Sequence, residues 1–200
     1  MICRDFFEAN KGSKELCTAL QKVPLDDQLA WEGESASPHS LGPIEDDEVF
    51  CRQVVDPTHF DKVSGTIKPN FLDDASHKGA SGHRLKHTTV RTLREISEAR
   101  VAKANEDPPP TGLRESIGYA TVTAAEVRCV FTEPLLRRAL GIYDTGREDD
   151  RSHADICQLV SGKQQGKSIR AQLFKIAKDR LVRFQEVDPS RDAIQLTKEK

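Results

Sequence analysis

Apolar side chains along this chain come in short bursts, separated by polar, Gly-rich or Pro-rich stretches, and the bursts follow two different spacings. Over residues 5–23, Phe6, Phe7, Leu16, Cys17 and Leu20 recur at helix-like intervals; Gly12-Ser13 divides the stretch in two and Pro24 ends it. Residues 31–47 (WEGESASPHSLGPIEDD) offer little to bury and read as an exposed connection. The segment 49–55 (VFCRQVV) is β-branched and aromatic and is closed by Asp56-Pro57, which predicts a strand. A second short strand at Thr66-Ile67-Lys68 predicts a hairpin with the first over a loop of residues 56–65, and Pro69 marks an edge or an end. Residues 73–87 (DDASHKGASGHRLKH) are polar, with three histidines and two glycines, and read as a loop.

Beyond that loop the helical spacing returns. Residues 92–104 combine Leu93, Ile96 and Val101 with good helix formers and stop before three prolines. Residues 118–122 (GYATV) predict a strand, and Thr123 with Glu126 predicts a capping box at the head of a short helix. Residues 139–143 and 154–160 predict two further strands. Residues 167–184 predict an amphipathic basic helix, with Ile169, Leu173, Ala177, Leu181 and Phe184 on its apolar side. The expected fold class is α+β: a small mixed or antiparallel sheet of short strands flanked by helices and ending in that basic helix. The expected organisation is an N-terminal helical segment (1–30), an acidic linker (31–47), an α+β domain (48–187) and a fraying tail (188–200).

Composition adds bounds to this picture. At 200 residues the chain matches one domain, able to form a core without disulfides or metal. No apolar run approaches the roughly 20 residues of a bilayer span, and no secretory signal is visible, so a cytoplasmic protein without membrane contact is expected. The five cysteines, at positions 3, 17, 51, 129 and 157, form no CxxC pair and read as reduced thiols. Net charge is −2, but residues 1–50 hold four basic against eleven acidic side chains, while 163–184 hold seven basic against one acidic. Such polarity suits a protein partner, or an anionic one for the basic end.

Four constellations could carry chemistry. His77, His83 and His87, with Asp73 and Asp74 before them, have side chains that suit a metal, but neighbouring Lys78, Arg84 and Lys86 oppose a cation, so no metal and no cofactor is expected. His153, Asp155 and Cys157 would share one strand face, yet His153 and Cys157 at i and i+4 stand roughly 13 Å apart, too far for a dyad. Arg52 in an apolar strand must meet an acid, reach solvent or line an anion-binding pocket. Arg52, His153 and Cys157 are therefore the catalytic candidates. Lys163, Lys167, Arg170, Lys178 and Arg183 are the candidates for nucleic-acid or anion binding. P-loop, GxGxxG, GxSxG and zinc-ribbon patterns are all lacking.

Several segments together carry a resemblance: VFCRQV with Asp56-Pro57, GTIKPNF at 65–71, GYATVTAAEVR at 118–128 and SHADI at 152–156. Over residues 49–178 the chain resembles a family of small uncharacterised bacterial proteins with an Arg-Arg-Val-x-Pro start, a Gly-x-x-Arg-Pro-Ser-Ser motif and a late His-Ala. Lys68-Pro69-Asn70-Phe71 departs from that motif and lacks its serines. Such proteins look like companions of bacterial conflict or antiviral defence loci, and the resemblance implies no activity. The leading expectation is a non-catalytic accessory subunit of a bacterial complex working through protein-protein interaction. The alternatives are a nucleic-acid-binding module using the basic helix and a small enzyme with a pocket around Arg52, His153 and residues 64–71.

Overall fold

The computed structural model describes residues 2–110, 112–133 and 136–187. The tail at 188–200 and the side chain of Lys163 lie outside the described residues. The chain begins with three short helices, α1 (Cys3–Ala9), α2 (Leu16–Leu20) and α3 (Leu25–Ala30). Next come β1 (Val49–Asp56), β2 (Phe60–Asp61), β3 (Thr66–Ile67), β4 (Ala80–Arg84), α4 (Val90–Asn105), β5 (Glu115–Thr123) and α5 (Ala124–Arg128). The remainder is β6 (Phe131–Thr132), β7 (Arg137–Arg138), β8 (Leu140–Tyr143), β9 (His153–Gln158), α6 (Lys163–Ala177) and β10 (Leu181–Arg183). Six strands form one antiparallel sheet in the order β10-β5-β1-β4-β9-β8, with helices on its faces: an α+β fold. No helix among the described residues is long and apolar enough to cross a membrane.

Elements pack on both faces of the sheet, and the alternation along β1 explains how. Phe50 and Val54 join Ala120, Val122, Ile169, Leu173 and Ala177 under α6, while Val49 and Cys51 join Leu93, Tyr119 and Phe184 on the α4 side. A central strand buried on both faces is apolar on both, as VFCRQVV is except at Arg52 and Gln53. On the α4 face, the opposite end of the sheet is covered by the N-terminal helices. There Phe6, Phe7, Leu16, Leu20 and Trp31 pack on Tyr143, Cys157 and Leu159. Gly12, with φ of +72°, makes the break between α1 and α2 that the sequence predicts.

Four expectations are corrected. Residues 73–87 are not a loop: they hold the end of a 3₁₀ segment (Pro69–Ser76), the central strand β4 and a 3₁₀ turn (Leu85–His87). The sequence ASGHR conceals a strand because its burial depends on partners for the polar groups rather than on apolar side chains. At Gly82 a Cβ would lie 2.3 Å from Phe50 Cζ, so glycine lets the Phe50 ring lie flat on β4.

Residues 31–47 are not an exposed linker, since Trp31, Ala36 and Ile44 are buried and Glu32 accepts from Arg128 Nε (3.2 Å), Arg138 and the Ile142 amide (2.6 Å). The basic helix ends at Ala177, and Leu181-Val182-Arg183 leave it as edge strand β10 on β5. Apolar Leu181 and β-branched Val182 can pair there because a turn at residues 178–180 reverses the chain. Finally, β3 pairs with β2 in a small separate ribbon, and β1 pairs with β4 and β5.

The segment before β1 is locked by Arg84 on β4, which is 2% exposed. Its Nε and Nη2 reach the two Glu48 oxygens at 2.9 and 2.7 Å, and Nη1 reaches Asp144 Oδ2 at 2.7 Å. Nη1 also donates to Gly42 O, and Nη2 to Pro43 O. Burial alone would raise the Glu48 carboxyl pKa, but its hydrogen bonds to Arg84 and the arginine charge bring it below the usual value.

Candidate functional site

On the α4 face, between the N-terminal helices and α4, the sheet is left uncovered and forms the floor of a cavity of about 400 Å³. That volume is in the range of small-molecule sites. Strand register sets the floor: Cys51 stands opposite His83, His83 opposite His153, and Ser81 opposite Asp155. Residues directly opposite or two apart share a face, so Gln53, Ser81, His83, His153 and Asp155 converge from β1, β4 and β9. Phe7, Lys11 and Leu16 contribute to one wall, Arg100 and Val101 of α4 to the other, with Arg114 and the β8–β9 loop residues Thr145 and Arg147 completing the border.

His153 is 1% exposed, and its hydrogen bonds define its tautomer. Nδ1 lies 2.9 Å from Thr145 Oγ1 and 3.2 Å from Thr145 O. The carbonyl can only accept, and the Thr145 hydroxyl donates to Asp155 Oδ2 at 2.7 Å, so both contacts place the ring proton on Nδ1. Asp155 Oδ1 accepts from Ser81 Oγ at 2.7 Å. Nε2 is buried without a partner. Burial lowers the imidazole pKa, while the nearby Asp155 charge counters part of that effect, leaving a neutral ring at pH 7.

A second chain of contacts supports the floor. Arg100 Nη1 donates to Gln53 Oε1 at 3.0 Å, which turns the Gln53 amide nitrogen toward His83 Nε2 at 3.4 Å. His83 Nε2 is thereby the acceptor, and Nδ1 faces Asp150 Oδ2 at 3.2 Å and Ser152 Oγ at 3.3 Å. Burial would raise the Asp150 carboxyl, but its hydrogen bond to His83, the His83 and His153 charges and the Ser152 hydroxyl together outweigh that and hold it at about 2. The His83 and His153 rings meet edge to face, with centroids 6.4 Å apart.

Arg52 starts from the other face of β1 and reaches the pocket beside Ser81, donating Nη1 to Ser81 O at 3.0 Å and Nη2 to Asp74 Oδ2. Its guanidinium carbon lies 5.8 Å from the centre of the Phe71 ring, and its buried Nε has no partner. Desolvation and then the Arg52 charge lower the His59 pKa to about 4. This depression has a defined linkage. Between pH 6.5 and 4 the unfolded chain holds a proton that folded His59 rejects, so stability falls as pH drops through that window, by about 2 to 3 kcal/mol. Urea melts across this range should show that a His59→Asn variant loses less stability than the wild type by that amount.

The structure therefore brings two of the three catalytic candidates, Arg52 and His153, to one pocket. Cys157 lies outside it, fully buried beside Cys17 of α2; its hydrogen bond to Cys17 and burial hold its thiol pKa well above the ordinary value. Residues 64–71 do not border the cavity, although Thr58 and His59 do. His77, His83 and His87 are not gathered: His83 is buried in β4 and the other two are exposed. No metal-ligating group of three or more forms among the described residues.

The basic positions of the C-terminal region are dispersed. Arg170 pairs with Asp73 at 3.1 Å, Lys178 sits 3.7 Å from Asp179, Arg183 lies over the Phe60 ring and near Glu186, and Lys167 is exposed. Gln53, Thr145, Arg100, Arg114 and Arg147 were not singled out from sequence, because no local spacing connects them. Comparison of the chain with protein-family models, curated proteins and solved structures gives no match.

Proposed function

We propose that this protein is a small-molecule enzyme in which His153 acts as general base toward a hydroxyl or a water held beside an anionic part of the substrate. The observation that carries this reading is that four buried side-chain atoms without a hydrogen-bond partner belong to residues around one cavity: Arg52 Nε, His59 Nδ1, Arg114 Nε and His153 Nε2. Buried polar atoms are ordinarily satisfied, and a cluster of exceptions in one cleft is what a site awaiting a polar ligand presents. In the chemistry proposed, Nε2 takes the proton of the hydroxyl or water as its oxygen bonds to an electrophilic centre of the substrate; the bond from that centre to its leaving group breaks, and the imidazolium, steadied by Asp155 through the Thr145 hydroxyl, returns the proton to the departing atom. The arginines hold the anionic group and fix its distance from the base.

The accessory-subunit and nucleic-acid readings have no comparable observation in their favour. A metabolite extract incubated with the protein and followed by mass spectrometry tests the proposal. Consumption of a compound by the wild type, with none by His153→Asn, supports it; equal consumption by the two, or none by either, rules against it.

A further inference from the structure

The charge around the cavity is one-sided. Lys11, Arg52, Lys78, Arg100, Arg114 and Arg147 border it, against Glu8, Asp74 and Asp155, a surplus of three positive charges. Two of those three carboxylates are already engaged: Asp74 by Arg52 and Lys78, and Asp155 by the Ser81 and Thr145 hydroxyls. Arg100, Arg114 and Arg147 have no carboxylate within ion-pair distance among the described residues, and they come from three separate segments: α4, the residues before β5 and the β8–β9 loop. The charges of Asp150 and Asp149 act on Arg100 only from beyond ion-pair distance, while those of Arg147 and Arg52 oppose it, and an anionic ligand would relieve that repulsion.

We propose, resting on the reading of this cavity as a substrate site, that its ligand is an organic diphosphate ester of nucleotide size. A carboxylate offers two oxygens in one plane, whereas linked phosphates present oxygens in several directions, as donors from separate segments around a cleft require. The three negative charges of a diphosphate ester match the surplus. A diphosphate alone leaves much of a cavity of about 400 Å³ unfilled, and Phe7, Leu16, Ala36 and Val101 give the organic remainder an apolar surface. His153 Nε2 and His59 Nδ1 then meet its hydroxyl groups.

Isothermal titration of the full chain with inorganic phosphate, inorganic pyrophosphate, citrate, AMP and ADP tests the assignment. Pyrophosphate should bind at least about tenfold more tightly than phosphate or citrate, and ADP more tightly than AMP. Arg114→Gln and Arg147→Gln should each weaken pyrophosphate by about tenfold, the loss of one charge-assisted contact. Arg94→Gln, on an exposed stretch of α4 where Arg94 pairs with Glu98, should leave it unchanged. Circular dichroism of the same variants separates lost binding from lost folding. Citrate or phosphate binding as tightly as pyrophosphate, or no binding of pyrophosphate at all, overturns the ligand class. If pyrophosphate fails while another metabolite is consumed in a His153-dependent way, the ligand class falls and the reading of the site stands. If pyrophosphate binds but no diphosphate ester is consumed, the ligand class stands and the role given to His153 falls.

Discussion

Replacing Arg84 by methionine is expected to destabilise the protein by about 3 to 5 kcal/mol, the loss that follows when one partner of a buried ion pair is removed. The cause is what remains behind. Glu48 and Asp144, both nearly buried, would keep their carboxylates without the guanidinium that neutralises them, and the carbonyls of Gly42 and Pro43 would lose a donor. In a chain of this length the change corresponds to a fall in melting temperature of about 10 °C. Urea unfolding should register it as a lower midpoint. A triple variant that adds Glu48→Gln and Asp144→Asn should recover much of the loss, since no charge is then stranded. If Arg84→Met alone costs under 1 kcal/mol, the clamp is not what holds residues 40–48.

His153→Asn should lower the turnover of the substrate by about 10² to 10⁴, the usual contribution of a positioned general base. Asparagine can still donate to Thr145 from its amide nitrogen, so the neighbouring contacts persist while the free lone pair of Nε2 is lost. The pH profile gives a second readout that a merely structural role would not move. Because burial lowers the His153 pKa, the acid limb of kcat/KM should lie below pH 6.5. Asp155 acts through the imidazole and raises its pKa, so Asp155→Asn should reduce the rate and shift the acid limb to still lower pH. An acid limb that stays in place in Asp155→Asn would show that the two groups are not coupled.

Much of the fold was legible from local pattern. β1, α4, β5 and the capping box of Thr123 and Glu126 follow from β-branched runs, helix formers and a cap, all of which act within a few residues. What was missed depends on distant partners. β4 reads as a loop because its interior positions are Gly82, His83 and Arg84, and these are buried only because Glu48, Asp144, Asp150 and Gln53 stand ready to satisfy them. Residues 31–47 look exposed because they are rich in Gly, Ser, Pro and acid and offer little to bury, yet Arg128 and Arg138, about a hundred positions later, hold Glu32 inside. The same reason hides half of the pocket. Arg52 and His153 stood out as polar residues in apolar strands, whereas Arg100, Arg114 and Arg147 occupy a helix and two loops where a charge is unremarkable by sequence.

The floor of the pocket is assembled from pairings between residues far apart in the chain, such as Cys51 with His83 and His83 with His153. Contacts of this kind require the chain to close long loops, a cost in chain entropy that local contacts do not carry. The donors around the cavity are thus scattered in the unfolded chain, which offers a ligand nothing to grip. Any ligand of the cavity that binds the folded chain alone would raise the stability of that folded chain in proportion to the logarithm of its concentration.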